Sequence, residues 1–134
     1  MGAHVSSRSA PLMLLLLSVC AYGQTSVAPE RMKQVTECML KVLKATPGVS
    51  EPRLGKVDIS GATVPFIEYR AAETTRWVQP TRFTFIGTNK GVVLFQTILP
   101  GVMPVGSQPD LHVTDAVTKR WQLQCGVRAS MLLE

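Results

Sequence analysis

Histidine, cysteine and aromatic side chains are all scarce in this chain. Its 134 residues include two histidines, three cysteines and 6% aromatic residues. Beyond the first 23 residues there is one histidine, His112, and the two cysteines there, Cys38 and Cys125, are 87 positions apart. Zinc sites draw their ligands from close pairs of cysteine or histidine. The sequence therefore predicts neither a metal centre nor a bound cofactor.

Recognisable catalytic motifs are missing as well. No Gly-x-Ser-x-Gly turn is present to expose a serine nucleophile, and no glycine-rich loop has the spacing that cradles a phosphate. A small hydrolase would need His112 as its base, with Ser107 or Ser130 and Asp115 as partners. His112, Asp115 and Asp110 would make at most a weak cation site, and a solvated loop with a turn-forming Asp110 is the favoured explanation. We expect a non-enzymatic protein and keep the hydrolase as the alternative.

Two carboxylates on neighbouring predicted strands have a simpler interpretation than catalysis. Glu68 and Asp58 would need to stand close together to act as a pair of acid and base. Arg70 and Lys56 lie near them in the sequence, so we expect cross-strand charge pairs instead.

Positive charge is in modest excess and is not concentrated. The formal net charge is +5, and after the first 23 residues only Lys119 and Arg120 are adjacent basic residues. Nucleic-acid-binding proteins usually cluster such charge on one face or arm. We therefore expect no nucleic-acid partner, whereas weak attraction to anionic envelope surfaces is compatible with this charge.

The first 23 residues predict a cleavable secretion signal. A polar segment that contains Arg8 precedes an apolar run of eight residues, 12–19, and a small-x-small sequence follows at 21–23. Eight residues suit the apolar part of a signal peptide and are far fewer than the ~20 that span a bilayer. We expect one exported domain over residues 24–134, secreted or periplasmic.

Cys20 leaves an alternative open. With residues 17–19 before it, Cys20 has the outline of a bacterial lipoprotein site, in which the cysteine becomes the lipidated first residue. Val19 is bulkier than the small residue that usually precedes such a cysteine. Soluble export is the main expectation, and a lipid-anchored envelope lipoprotein, with the membrane as a partner, is the alternative.

Cys38 and Cys125 remain as an even pair once Cys20 is removed or acylated. Because exported proteins meet an oxidising compartment, we predict a disulfide between them. Two buried free thiols are the alternative. The bridge would close a loop of 88 residues, for which the chain-entropy relation gives roughly 4 to 4.7 kcal/mol of stabilisation.

The hydropathy pattern changes from a helical to a strand period along the chain. Pro29 suits the first turn of a helix, apolar residues recur three and four apart, and Pro47 with Gly48 ends the helix after about 17 residues. Pro65 predicts an edge position or a strand start. Strand patterns follow over residues 54–60, 64–72, 82–86 and 92–99.

The last part of the chain completes the expected fold. Residues 114–120 are ambiguous between helix and strand, and alternation over residues 121–129 predicts a final strand with Trp121 and Cys125 on its apolar face. Cys38, on the apolar side of the helix, would then face Cys125. We expect an α+β fold with one N-terminal amphipathic helix packed on a four- to five-stranded, mostly antiparallel sheet.

The candidate binding surface lies on connections between elements. Residues 100–110 contain three prolines and two glycines, which predicts a long loop, and long loops in compact domains are often functional. Trp77 beside Arg76 is either an anchor for a partner or a lid over the core. The candidate surface is Trp77, Arg76, Pro104 and His112, for an unidentified protein or a cell-envelope component. Plain surface connections are the alternative.

Overall fold

The computed structural model describes residues 27–71, 79–99 and 110–133. In chain order their elements are α1 (Pro29–Ala45), β1 (Ser50–Ile59), β2 (Ala62–Arg70), β3 (Thr81–Asn89), β4 (Val92–Leu99), α2 (Leu111–Arg120), a π-helical turn (Trp121–Cys125) and β5 (Val127–Leu133). The predicted α+β class is confirmed, with two helices instead of one. The predicted secretion signal and Cys20 lie outside the described residues.

The first helix follows the predicted pattern. It begins at Pro29, and Met39 and Leu43 on its apolar stripe are fully buried. Lys44 lies in the last turn, where a positive charge interacts favourably with the helix dipole. Within the described residues α1 is the first element in chain order. No helix within them is both long and apolar enough to cross a membrane.

Two-residue turns connect β1 to β2 and β3 to β4. Ser60 and Gly61 have φ angles of 50° and 82°, and Lys90 and Gly91 have φ angles of 52° and 81°. Positive φ at both central residues is the pattern of the type I′ turn, whose twist matches that of the paired strands. Because the turns are so short, β2 begins two residues before its predicted range and β3 ends three residues after its own.

The sheet has five strands in the order β1-β2-β3-β4-β5. The first four form antiparallel neighbours, whereas β5 runs parallel to β4. The expectation of a mostly antiparallel sheet is therefore corrected to a mixed sheet. The physical reason is α2, because neighbouring parallel strands need a crossover connection and this helix belongs to it.

The predicted final strand over residues 121–129 is wrong in its first half. Helix α2 continues directly into the π-helical turn, and Gly126, with a φ of 66°, ends the helical conformation before β5 begins. Leu123, which a strand would have placed on the inner face, is 85% exposed. The ambiguous residues 114–120 are helical.

The predicted disulfide between Cys38 and Cys125 is present and joins α1 to the π-helical turn. The two Cα atoms are 5.8 Å apart, and both residues are half-buried. Cys125 thus reaches Cys38 from a helical turn and not from a strand. Beside the bridge, the indole Nε1 of Trp121 donates a hydrogen bond of 3.1 Å to the carbonyl oxygen of Met39.

The core lies between the two helices and one face of the sheet. Its fully buried side chains are Met39, Leu43, Ile67, Tyr69, Phe83, Val93, Phe95, Thr114, Val117, Trp121 and Val127. The Tyr69 hydroxyl donates a hydrogen bond of 2.9 Å to Oγ1 of Thr114 on α2. Burial raises the pKa of Tyr69 to about 12, against a smaller lowering by that hydrogen bond. This buried contact ties the crossover helix to the middle of the sheet.

Candidate functional site

A cleft opens between the first half of α1 and the β1–β2 hairpin. Its volume is about 620 Å³, within the range of roughly 300 to 1,000 Å³ that is usual for small-molecule sites. The described residues that line it are Val27, Pro29, Met32, Lys33, Thr36, Leu54, Gly55, Lys56, Thr63, Val64, Pro65, Phe66 and Phe85.

Unequal strand pairing forms the sheet side of this cleft. Strands β1 and β2 pair along nearly their whole lengths, whereas the β2–β3 ladder covers only residues 66–69 of β2. Beyond this ladder the end of the β1–β2 hairpin and the second half of β3 are not paired with each other. Pro65 pairs with Lys56 of β1 and has no ladder partner on the β3 side. It lies inside an interior strand, which corrects the predicted edge position or strand start, but its surroundings are locally those of an edge.

The other side of the cleft is the first half of α1. Met39 and Leu43 in the second half of the helix are fully buried in the core, whereas Met32 in the first half is only half-buried. The half-buried lining residues with apolar side chains are Val27, Met32, Leu54, Val64, Pro65 and Phe85. Removing such apolar surface from water favours binding of an apolar molecule.

The polar side chains of the lining are of two kinds: threonines whose hydroxyls already donate a hydrogen bond, and lysines that are exposed to solvent. The Thr36 hydroxyl donates to the carbonyl oxygen of Met32 at 2.8 Å, and the Thr63 hydroxyl donates to the carboxylate of Asp58 at 2.6 Å. Lys33 on α1 and Lys56 on β1 are exposed, and we call them the rim lysines. None of the described lining residues is acidic. The cleft thus combines apolar walls with positive charge at its border.

The opposite face of the sheet carries a cluster of two arginines around one carboxylate. Nε and Nη2 of Arg53 donate to Oε2 of Glu68 at 2.9 and 2.7 Å, and Nε of Arg82 donates to Oε1 at 2.9 Å. The guanidinium of Arg82 also lies 3.7 Å from the centroid of the Phe66 ring. Burial on its own would raise the pKa of Glu68, but the hydrogen bonds and charges of the two arginines lower it below its ordinary value.

This cluster has a structural role. Both carboxylate oxygens of Glu68 are occupied, and the three charged side chains tie β1, β2 and β3 together. The predicted cross-strand charge pairs exist, with Arg53 and Arg82 as the partners of Glu68 in place of Arg70 and Lys56. Asp58 does not join them, because its carboxylate accepts from Thr63.

His112 is exposed in the first turn of α2 and does not lie in a cluster of ligands. Asp110 caps this helix, since its Oδ1 accepts hydrogen bonds from the backbone amides of His112 and Val113 at 2.9 and 3.2 Å. Asp115 forms an ion pair of 3.1 Å with Lys119. Across the described ranges, no three histidine, cysteine or acidic side chains come together as metal ligands. Asp110 therefore acts as a helix cap, and not as a residue of a loop turn.

The candidate surface predicted from the sequence is described at one position, His112. Trp77, Arg76 and Pro104 lie outside the described residues, so this surface stays a prediction. The cleft is not among the sites predicted from the sequence. The one signal for it in the sequence is Pro65, which marks a strand position where a ladder partner is missing.

Comparison of the chain with protein-family models, with curated protein sequences and with solved structures found no match.

Proposed function

We propose that this protein is a small exported binding domain that holds the apolar part of a cell-envelope component in the cleft. The observation that carries the proposal is a cavity of about 620 Å³ with six half-buried apolar side chains around it. At about 30 Å³ for each water molecule, that volume corresponds to roughly 20 waters, or to a ligand with about as many non-hydrogen atoms.

The apolar walls supply enough free energy for binding of such a ligand. Each methylene group transferred from water stabilises the complex by about 0.8 kcal/mol, so ten of them contribute about 8 kcal/mol. The loss of translational and rotational freedom offsets at least about 4 kcal/mol of this. The remaining free energy corresponds to a dissociation constant of about 1 mM or below.

Two observations support the exported setting. The apolar run at residues 12–19 has the length and flanking residues of a secretion signal. The Cys38–Cys125 bridge is of the kind that persists in oxidising compartments. Intact-mass measurement of the exported product tests this part, because simple cleavage leaves Gln24 first and acylation adds the mass of lipid to Cys20. A cytoplasmic product that retains residues 1–23 contradicts it.

Binding is tested with a neutral apolar fluorophore, N-phenylnaphthylamine, titrated into the exported protein. We expect saturable binding at one site, and Met32→Trp weakens it at least about tenfold, the equivalent of roughly two buried methylenes. Met131→Trp makes the same exchange on β5, away from the cleft, and leaves the affinity unchanged. Matching thermal unfolding curves check that both variants are folded. Failure of the wild-type protein to bind, or equal weakening by both substitutions, refutes the proposal.

A further inference from the structure

We infer that the ligand of the cleft is an amphiphile with an anionic head group, a fatty acid, whose carboxylate lies between the rim lysines. This inference rests on the proposed function and adds the chemical class of the ligand. Lys33 and Lys56 come from two different elements, α1 and β1, and both line the same cavity. Positive charge therefore borders the cleft on its helix side and on its sheet side.

Some basic side chains of the described residues form ion pairs, and the rim lysines are not among them. Glu68 pairs with both Arg53 and Arg82, and Asp115 pairs with Lys119. No ion pair to another described residue is present at either rim lysine. A carboxylate at the border of the cleft would supply the missing negative charge.

The remaining polar groups of the lining do not compete for that position. The hydroxyl hydrogens of Thr36 and Thr63 are already donated to Met32 and Asp58. Ammonium groups are donors only and accept no hydrogen bond. A ligand group that binds the rim lysines must therefore be an acceptor, and a charged acceptor forms the stronger bond with an ammonium group.

The size of the cleft favours a fatty acid over a larger lipid. A volume of about 620 Å³ accommodates roughly 20 non-hydrogen atoms at about 30 Å³ each. One acyl chain with its carboxylate fits that count, whereas a lipid with two acyl chains on glycerol exceeds it. The half-buried Met32, Leu54 and Phe85 provide the surface against which the chain packs.

The test compares ligands that share one alkyl chain and differ in the head group. Dodecanoate, dodecanol and dodecyl phosphate each displace N-phenylnaphthylamine from the protein, at mildly alkaline pH and below the concentration at which they aggregate. We expect dodecanoate to bind about 3- to 10-fold more tightly than dodecanol, as two exposed charge pairs allow. The preference should shrink in high salt, which screens exposed charges.

Variants assign the preference to the rim lysines. The double substitution Lys33→Gln and Lys56→Gln keeps most of each side-chain stem and removes both charges. It should bring dodecanoate to the affinity of dodecanol, with the affinity for dodecanol unchanged. Lys44→Gln removes one charge from the same helix outside the cleft and should preserve the preference.

The possible outcomes separate this inference from the proposed function. Equal binding of dodecanoate and dodecanol by the wild-type protein overturns the anionic head group and leaves the apolar site intact. Tighter binding of dodecyl phosphate than of dodecanoate overturns the choice of a carboxylate. A preference that survives the double substitution overturns the role of the rim lysines. If neither the fluorophore nor any of the three ligands binds, the proposed function itself fails.

Discussion

Removal of the Cys38–Cys125 bridge should destabilise this domain more than any other change considered for it. The bridge closes a loop of 88 residues, counted from one cysteine to the other. For that length, the chain-entropy relation predicts that restraining the unfolded chain stabilises the folded state by about 4.6 kcal/mol at 25 °C. Cys38→Ala combined with Cys125→Ala should therefore lower the free energy of unfolding by about that amount.

The size of this effect is large relative to the whole stability of the domain. Domains of about 110 residues have free energies of unfolding of roughly 5 to 15 kcal/mol. The unfolding entropy of such a domain is about 0.23 kcal/mol/K. Dividing the lost free energy of unfolding by this entropy gives a fall in Tm of roughly 20 °C. The hydrogen bond from Trp121 to Met39 still joins α1 to the π-helical turn, so the variant should fold at low temperature.

Urea unfolding followed by tryptophan fluorescence measures the loss, because Trp121 is fully buried in the folded state. Oxidised wild type, reduced wild type and the double alanine variant are compared at one temperature. Reduced wild type should match the variant, which shows that the effect belongs to the bond and not to the side chains. A loss below about 1 kcal/mol would refute the reasoning, since the bridge would then place little restraint on the unfolded chain.

Two buried polar side chains should change the response of stability to pH. Glu68→Gln should cost about 1 to 3 kcal/mol at neutral pH. Because the folded-state pKa of Glu68 lies below its ordinary 4.5, wild type should lose this stabilisation as the pH falls below that value, and the variant should show a shallower acid dependence of the urea midpoint. Tyr69→Phe should cost about 1 to 2 kcal/mol at neutral pH, since the Thr114 hydroxyl loses its partner. The pKa of Tyr69 rises from 10.0 to about 12 on folding, so wild type should lose about 2 to 3 kcal/mol between those pH values and the variant should not. Identical slopes for wild type and variant would contradict either prediction.

Local patterns predicted the elements that local forces determine. Helix α1 and strand β4 occupy the predicted residues because a proline start, an apolar stripe and a run of β-branched residues act within a few positions. The disulfide followed from the number of cysteines and did not require the correct element at Cys125. Its confirmation therefore did not depend on the strand that was predicted there.

The strand predicted over residues 121–129 is wrong in its first half because the alternation of apolar and polar residues was given more weight than the continuation of helix α2. Apolar and polar residues do alternate there, but no proline or glycine interrupts the chain between Asp110, which caps α2, and Gly126. Glutamine and leucine are good helix formers, and Gly126 adopts the left-handed conformation that ends helices. The glycine was the more reliable boundary.

The cleft was beyond prediction because it depends on distances between elements. It exists because the β2–β3 ladder is shorter than the β1–β2 ladder and because the first half of α1 is less buried than the second. Neither difference is encoded in the periodicity of one segment. Lys33 and Lys56, which alternation and helical spacing place on solvent-facing sides, acquire a shared position only when α1 packs on the sheet.

The pairing of α1 with the π-helical turn has a consequence for the order of events during synthesis. Until Trp121 and Val127 have left the ribosome, a growing chain lacks the side chains against which Met39 and Phe95 are buried. Contacts between residues so distant in sequence form late and slowly. The core is therefore completed only after β5 has been synthesised, although α1 and strands β1 to β4 precede it in the chain.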